Sequence, residues 1–264
     1  MRRLLVCLPV VAGCASAASS GVDEPPQYLA LGDSVAFGYD PRTDHSTDSG
    51  YAELLAANQQ IALTNASCPG EASGGFIAPD GNDNHCRENK QAYSLHVKYT
   101  GTQLAFAIDF LRDHPNTELV TIDLGGNDVG KLNATCAGAL PCILGGIVTT
   151  LEEYDRNMQY IFGELRKVYD GPLLGIGIYN PYPGDSTAEW GLGKLNTLLA
   201  AQLRTYDGTF VDGLAAFAAV SADPCADGLL IKMPDGTCDI HPSPKGHEIL
   251  AAAVQNVLTN GAAQ

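Results

Sequence analysis

The stretch YLALGDSVAFGY, residues 28–39, sets a serine directly after a short apolar run and ahead of a glycine-spaced turn. A hydroxyl at that point is a candidate nucleophile. In an open parallel sheet, ligands bind outside the carboxyl ends of the strands, and Ser34 stands just past the first strand-like run. The plainer alternative is a helix N-cap, since serine and aspartate in a strand-to-helix turn accept hydrogen bonds from backbone N–H groups left unpaired there. Two familiar motifs do not fit. Ala36 stands where the G-x-S-x-G elbow of α/β-hydrolases needs its second glycine, and Ser34 lies in no lysine-bearing glycine loop of the kind that cradles a nucleotide phosphate.

What Ser34 does depends on the elements that hold it. The chain has 264 residues, 45% hydrophobic and 17% charged, which suits one domain with a sizeable core. Strand-like apolar runs fall at 28–31, 61–64, 119–124, 173–178 and 209–211, and helix-like segments at 51–58, 102–112, 151–168, 192–206 and 246–258. This alternation predicts an α/β sandwich around a five-stranded parallel sheet, occupying residues 26–262. Longer irregular stretches, 67–99 and 223–239, each carry a cysteine pair, and long loops in a compact domain are usually functional or stapled. No internal repeat, low-complexity tract or membrane-length apolar run follows the first residues.

Those first residues form a leader. Arg2 and Arg3 precede an apolar run over 4–12, and small residues follow through Ala15, Ser16 and Ala17, the layout of a secretory signal peptide over 1–17. Val11, Ala12, Gly13 and Cys14 also resemble a lipobox, which would end the leader before Cys14 and attach the chain to a membrane through that lipidated cysteine. Both readings put the protein outside the cytoplasm, secreted or in the cell envelope. The net charge of −15 repels nucleic acid and anionic membranes and favours neutral or cationic small substrates. Beyond the leader, the cysteines fall as neighbours, Cys68 with Cys86, Cys136 with Cys142 and Cys225 with Cys238. In an exported chain this predicts three local disulfides. A zinc site is disfavoured, because such sites usually include a C-x₂₋₄-C pair and the tightest spacing here is wider.

Four segments together resemble the SGNH hydrolases, also called the GDSL esterase/lipase family. They are GDS at 32–34, Gly70 within ASCPGE, GGND at 125–128 and DIHP at 239–242. None is specific alone, but their order and spacing span nearly the whole chain after the leader. The resemblance implies a flavodoxin-like three-layer α/β/α sandwich and a serine esterase or lipase needing neither cofactor nor metal. It also implies roles. Ser34 would attack the ester carbonyl and His241 would take its proton, while the backbone N–H groups of Ser34 and Gly70 and the side chain of Asn127 would meet the oxyanion. The alternatives are turn chemistry for Asn127 and a structural part for His241. His45, His85, His96, His114 and His247 carry no catalytic expectation.

The family pattern breaks beside the base. The usual arrangement is Asp-x-x-His, yet Cys238 stands three residues before His241 and the nearest acid, Asp239, two before. Asp239 reaches the imidazole if the loop turns tightly; otherwise a backbone carbonyl holds the ring and Asp239 only charges or caps the loop. Phe37, Tyr39, Tyr179, Asn180 and Tyr182 are candidates for substrate contact, with loop packing as the alternative. Asp80, Asn82 and Asn84 imitate the start of a calcium loop, but His85 replaces the required glycine and Gln91 the closing glutamate. The implied substrate is a small-molecule or lipid ester, with lipids, phospholipids and acylated carbohydrates all open. The expected state is a monomer. A reading from another class, an envelope lipoprotein that keeps this fold only to bind a ligand, has no need of Ser34, Gly70, Asn127 and His241 together.

Overall fold

The apolar run before Ser34 is an interior strand of a parallel sheet in the computed structural model, which describes residues 25–261 apart from Asp44 and Asp48. The expected leader over 1–17, with Cys14, lies outside the described residues. The chain begins with β1 (Gln27–Gly32), α1 (Ser34–Phe37), β2 (Tyr39–Asp40), β3 (His45–Ser46), α2 (Tyr51–Gln59) and β4 (Ala62–Asn65). It continues through α3 (Ser73–Ile77), α4 (Cys86–Ala92), α5 (Gln103–Asp113), β5 (Thr117–Asp123), α6 (Gly126–Thr135) and α7 (Leu140–Arg166). The last part holds β6 (Leu173–Ile176), α8 (Ser186–Thr205), β7 (Thr209–Val211), α9 (Gly213–Ala218), β8 (Leu230–Lys232), β9 (Cys238–Pro242) and α10 (Pro244–Gly261).

Five strands pair in parallel in the order β4-β1-β5-β6-β7. The chain first builds outward from β1 to β4 and then crosses back to β5. That reversal opens a crevice between the carboxyl ends of β1 and β5, the place where open α/β sheets bind ligands.

Both faces of the sheet are covered. Leu29, Leu31, Val120 and Ile122 point to a core completed by α5, α7 and α8. Tyr28, Ala30, Leu119 and Leu174 point to a second core with α2, α9 and α10. The strand period of two sorts these residues between the faces. The expected three-layer sandwich with a five-stranded parallel sheet is therefore the observed architecture.

Several elements stand where irregular chain was expected. Helix α7 starts at Leu140, well before the expected 151, because its first turns carry Gly145 and Gly146 and read as a loop. Gly146 permits close helix packing instead: a Cβ there would lie 2.6 Å from a Leu132 methyl on α6. Helices α3 and α4 lie within the 67–99 stretch, and β8 and β9 pair antiparallel across the 223–239 stretch. The cysteines pair as Cys68–Cys86, Cys136–Cys142 and Cys225–Cys238. Each bridge closes a short loop, which restricts the unfolded chain and stabilises by roughly 3 kcal/mol for a loop of about 15 residues.

Candidate active site

Strand β1 ends in Gly32, where the backbone takes a φ of +134° and a Cβ would lie 2.2 Å from Asp123 Oδ1. Glycine lets β1 and β5 close together at this point, so the turns that follow them share one crevice. The next residue, Asp33, caps α1: its carboxylate accepts from the Val35 N–H at 2.9 Å. The capping role foreseen as the alternative for Ser34 thus belongs to its neighbour. Ser34 occupies the first helical position with its Oγ 2.9 Å from His241 Nε2.

His241 lies on β9, and its strand conformation accounts for a contact with Asp239 at the irregular spacing of two. Side chains two apart on a strand share a face. Asp239 and His241 are two apart, and the Asp239 carboxylate accepts both from the ring at Nδ1 and from the His241 backbone N–H. Partial burial raises the Asp239 carboxyl, but the hydrogen bonds from His241 outweigh it and hold the group below its ordinary value. The Cys225–Cys238 bridge anchors the residue just before Asp239. Tyr39 stands edge-on to the imidazole with ring centroids 5.0 Å apart.

Gly70 and Asn127 line the same cleft as Ser34 and His241. Gly70 has a φ of +85°, and a Cβ there would lie 2.1 Å from the Asn84 carbonyl oxygen. Asn127 sits in the first turn of α6, donates from Nδ2 to Asp33 at 3.0 Å and accepts at Oδ1 from Asn84 at 2.9 Å. Asp33 also receives the His241 field, which favours its charged form. Burial pushes the Asp33 carboxyl up to about 6 and that of the adjacent Asp123 well above the carboxylate range. Two neighbouring negative charges in a dry site are costly. The stronger upward push on Asp123 favours the proton resting on Asp123 rather than on Asp33.

Behind Gly70, Glu71 is buried and accepts from Gln103 Nε2 at 3.3 Å; the same Gln103 bonds both the N–H and the carbonyl of Gly32. Burial lifts the Glu71 carboxyl from 4.5 to about 8. A folded value above the unfolded one means that the stabilising contribution is complete below about pH 4.5 and disappears as pH climbs through 8. Glu71→Gln is accordingly expected to be more stable relative to the parent at pH 8 than at pH 5, by on the order of a few kcal/mol. Urea titrations at the two pH values measure this, and an unchanged difference contradicts a protonated Glu71.

The cleft encloses about 970 Å³. Part of its lining is polar, with Asn84, His85, Asn89 and Tyr93. Another part is apolar, built by Ile143, Leu144 and Ile147 of α7 with Trp190 and Leu192 of α8. Leu144 and Trp190 remain 56% and 47% exposed at its rim.

Among the aromatic candidates, Tyr39, Tyr179 and Tyr182 line the cleft. Tyr179 is largely buried, stacked on Phe217 with its hydroxyl bonded to the Ile240 carbonyl at 2.6 Å. Asn180 instead caps its own turn, accepting from the Tyr182 N–H at 2.8 Å. Phe37 corrects the expectation that it walls the site: its ring is buried against His96 and is not part of the lining. Removing a phenyl group from water gains more than exposing it in a cleft. His247 is buried too, its Nδ1 accepting from the Tyr51 N–H at 3.2 Å, and burial lowers it to about 4.

Asp33 and Asp123 were not among the residues picked from the sequence, and Asn84 was named only within the rejected calcium-loop imitation. Asp33 had a signal, its place in the GDS segment. Asn84 and Asp123 reach the site through tertiary contacts that leave no local pattern.

A model of the GDSL-like Lipase/Acylhydrolase family matches residues 30–249. Among solved structures, a phospholipase A1 from Streptomyces albidoflavus is 17% identical, with a TM-score of 0.62 over 88% of this chain and 99% of that one. An extracellular lipase from Streptomyces rimosus is also 17% identical, with a TM-score of 0.59 over 88% and 99%. An acetylxylan esterase from Geobacillus stearothermophilus, 17% identical, has a TM-score of 0.54 over 88% and 93%. At that identity these structures share the fold. No curated protein sequence matches the chain.

Proposed function

The chain belongs to the GDSL-like lipase/acylhydrolase family and is a carboxylic ester hydrolase, and from that premise we propose that it works through a Ser34–His241–Asp239 triad on esters with an apolar acyl chain. The observation that carries this reading is the unbroken hydrogen-bond chain from Ser34 through His241 to Asp239 at the edge of the cleft. His241 Nε2 takes the Ser34 proton as Oγ attacks the carbonyl, and Asp239 keeps the other ring proton on Nδ1 and stabilises the imidazolium. The oxyanion forms against the N–H groups of Ser34 and Gly70 and the Nδ2 of Asn127. His241 then returns the proton to the leaving alcohol, and water releases the acyl enzyme by the same route in reverse.

The acyl chain lies along Ile143, Leu144, Ile147 and Trp190, and the alcohol faces the polar part of the lining. A ligand cleft typically measures about 300–1,000 Å³, so a volume of about 970 Å³ is far more than an acetyl group fills. The phospholipase and lipase of similar fold fit this reading better than the acetylxylan esterase does. A purely ligand-binding protein gains nothing from a serine bonded to a histidine that is itself bonded to a carboxylate. Export is part of the proposal, resting on the leader over 1–17 and the three disulfides, and the leader leaves attachment through Cys14 open.

A panel of p-nitrophenyl esters of rising acyl length, phospholipids and acetylated xylan tests the substrate class. The expected result is kcat/KM rising from the acetyl to the medium- and long-chain esters, since each buried CH₂ contributes about 0.8 kcal/mol. A preference for acetyl esters overturns the acyl placement.

A further inference from the structure

The side chain of Asn127 is an amide, nearly symmetric in shape but opposite in chemistry at its two ends. Its usefulness as a donor depends on which end faces the cleft and at what angle. Asp33 holds the nitrogen end at 3.0 Å, and Asn84 holds the oxygen end through its own Nδ2 at 2.9 Å. The two partners stand on either side of the amide and together stop it from turning. One of the two Nδ2 hydrogens is spent on Asp33, so the second is the one left for an oxyanion.

Asn84 touches Gly70 as well, through its backbone. The Asn84 N–H donates to the Gly70 carbonyl at 2.9 Å. Its carbonyl oxygen fills the space where a Gly70 side chain would be. The loop that carries it is held on both sides: Asn82 O accepts from the Gly75 N–H at 2.8 Å, the buried Asp83 carboxylate pairs with Arg87 at 3.1 Å, and Cys86 is bridged to Cys68.

We propose that Asn84 is a positioning residue that locks the Asn127 amide and registers it against the Gly70 N–H, so that both donors aim at one oxygen. This rests on the reading of the site given above and adds to it a residue that touches no reacting atom. The backbone link to Gly70 survives substitution at 84 by any residue but proline, whereas the link to Asn127 is carried by the side chain alone. Side-chain replacement therefore isolates the effect on Asn127. An oxyanion donor displaced by a fraction of its hydrogen-bond length helps the transition state less while leaving ground-state binding nearly intact.

The test is a double-mutant cycle on a soluble p-nitrophenyl ester, with Asn84→Ala, the similarly sized Asn84→Leu, Asn127→Ala and the combined variants. Loss of a donor costs about 10²- to 10³-fold in kcat, the level expected for Asn127→Ala. Asn84→Ala and Asn84→Leu are each expected to lower kcat about 10- to 100-fold with KM within about twofold, a misplacement effect. In the Asn127→Ala background the same changes at 84 are expected to alter kcat by less than about twofold, because nothing is left to position. Equal losses in both backgrounds, a loss confined to KM, or unchanged kcat in folded Asn84→Ala and Asn84→Leu each overturn the proposal. Should Asn84→Ala not fold, Asn84→Leu, which preserves volume, decides alone. A Ser34→Ala arm separates the two levels of argument: activity retained there refutes the triad itself. Activity lost there but untouched by changes at 84 refutes only the part given to Asn84.

Discussion

Purified Ser34→Ala is expected to retain almost no ester hydrolysis, with kcat lower by on the order of 10⁵-fold or more, because every later step passes through the bond that Ser34 Oγ forms. Its stability is expected to stay within about 0.5 kcal/mol of the parent. The hydroxyl is only half-buried, and the N-cap of α1 belongs to Asp33. The pairing of lost turnover with an unchanged melting temperature is what separates a nucleophile from a structural serine. Retention of more than about one-hundredth of the parental kcat after careful purification is incompatible with the assignment.

The second large effect is expected at Asp239. Replacing it by asparagine keeps the size of the side chain but sets an amide that can donate opposite His241 Nδ1. That favours the tautomer with its proton on Nε2, which cannot accept from Ser34, and the expected loss in kcat reaches about 10⁴-fold. The strand geometry of β9 and the lowered Asp239 carboxyl both support the carboxylate as the group that orients the ring. His241→Ala supplies the fully disabled reference. A loss within about tenfold for Asp239→Asn would reduce the triad to a dyad of Ser34 and His241.

The uneven legibility of the sequence has a physical basis. The interior strands β1, β5 and β6 were readable because runs such as 28–31 are buried on both faces, so their apolar character is nearly continuous. The second half of α7 was readable because Tyr154, Met158, Ile161 and Leu165 repeat at helical spacing and face the core. Its first half was not, since Leu140, Leu144 and Val148 repeat at the same spacing but point away from the core, beside two glycines. Ser34 and His241 carried motif signals. The geometry joining Asp239 to His241 did not, because CDIHP is short, ends in proline and gives no sign of being a strand until its pairing with β8 is seen. Phe37 misled because position beside Ser34 says nothing of which way a ring turns.

The hydrogen bond between Ser34 and His241 joins residues 207 positions apart. During synthesis at about 5–20 residues per second, Ser34 leaves the ribosome roughly 10–40 s before His241. On the proposed triad, a truncated translation product ending ahead of β9 is expected to be inert however well its sheet has formed, and so is any proteolytic fragment that ends there. Recovery of hydrolysis after denaturation consequently reports on completion of the whole chain's refolding, where a spectroscopic signal from the sheet reports only on its parts.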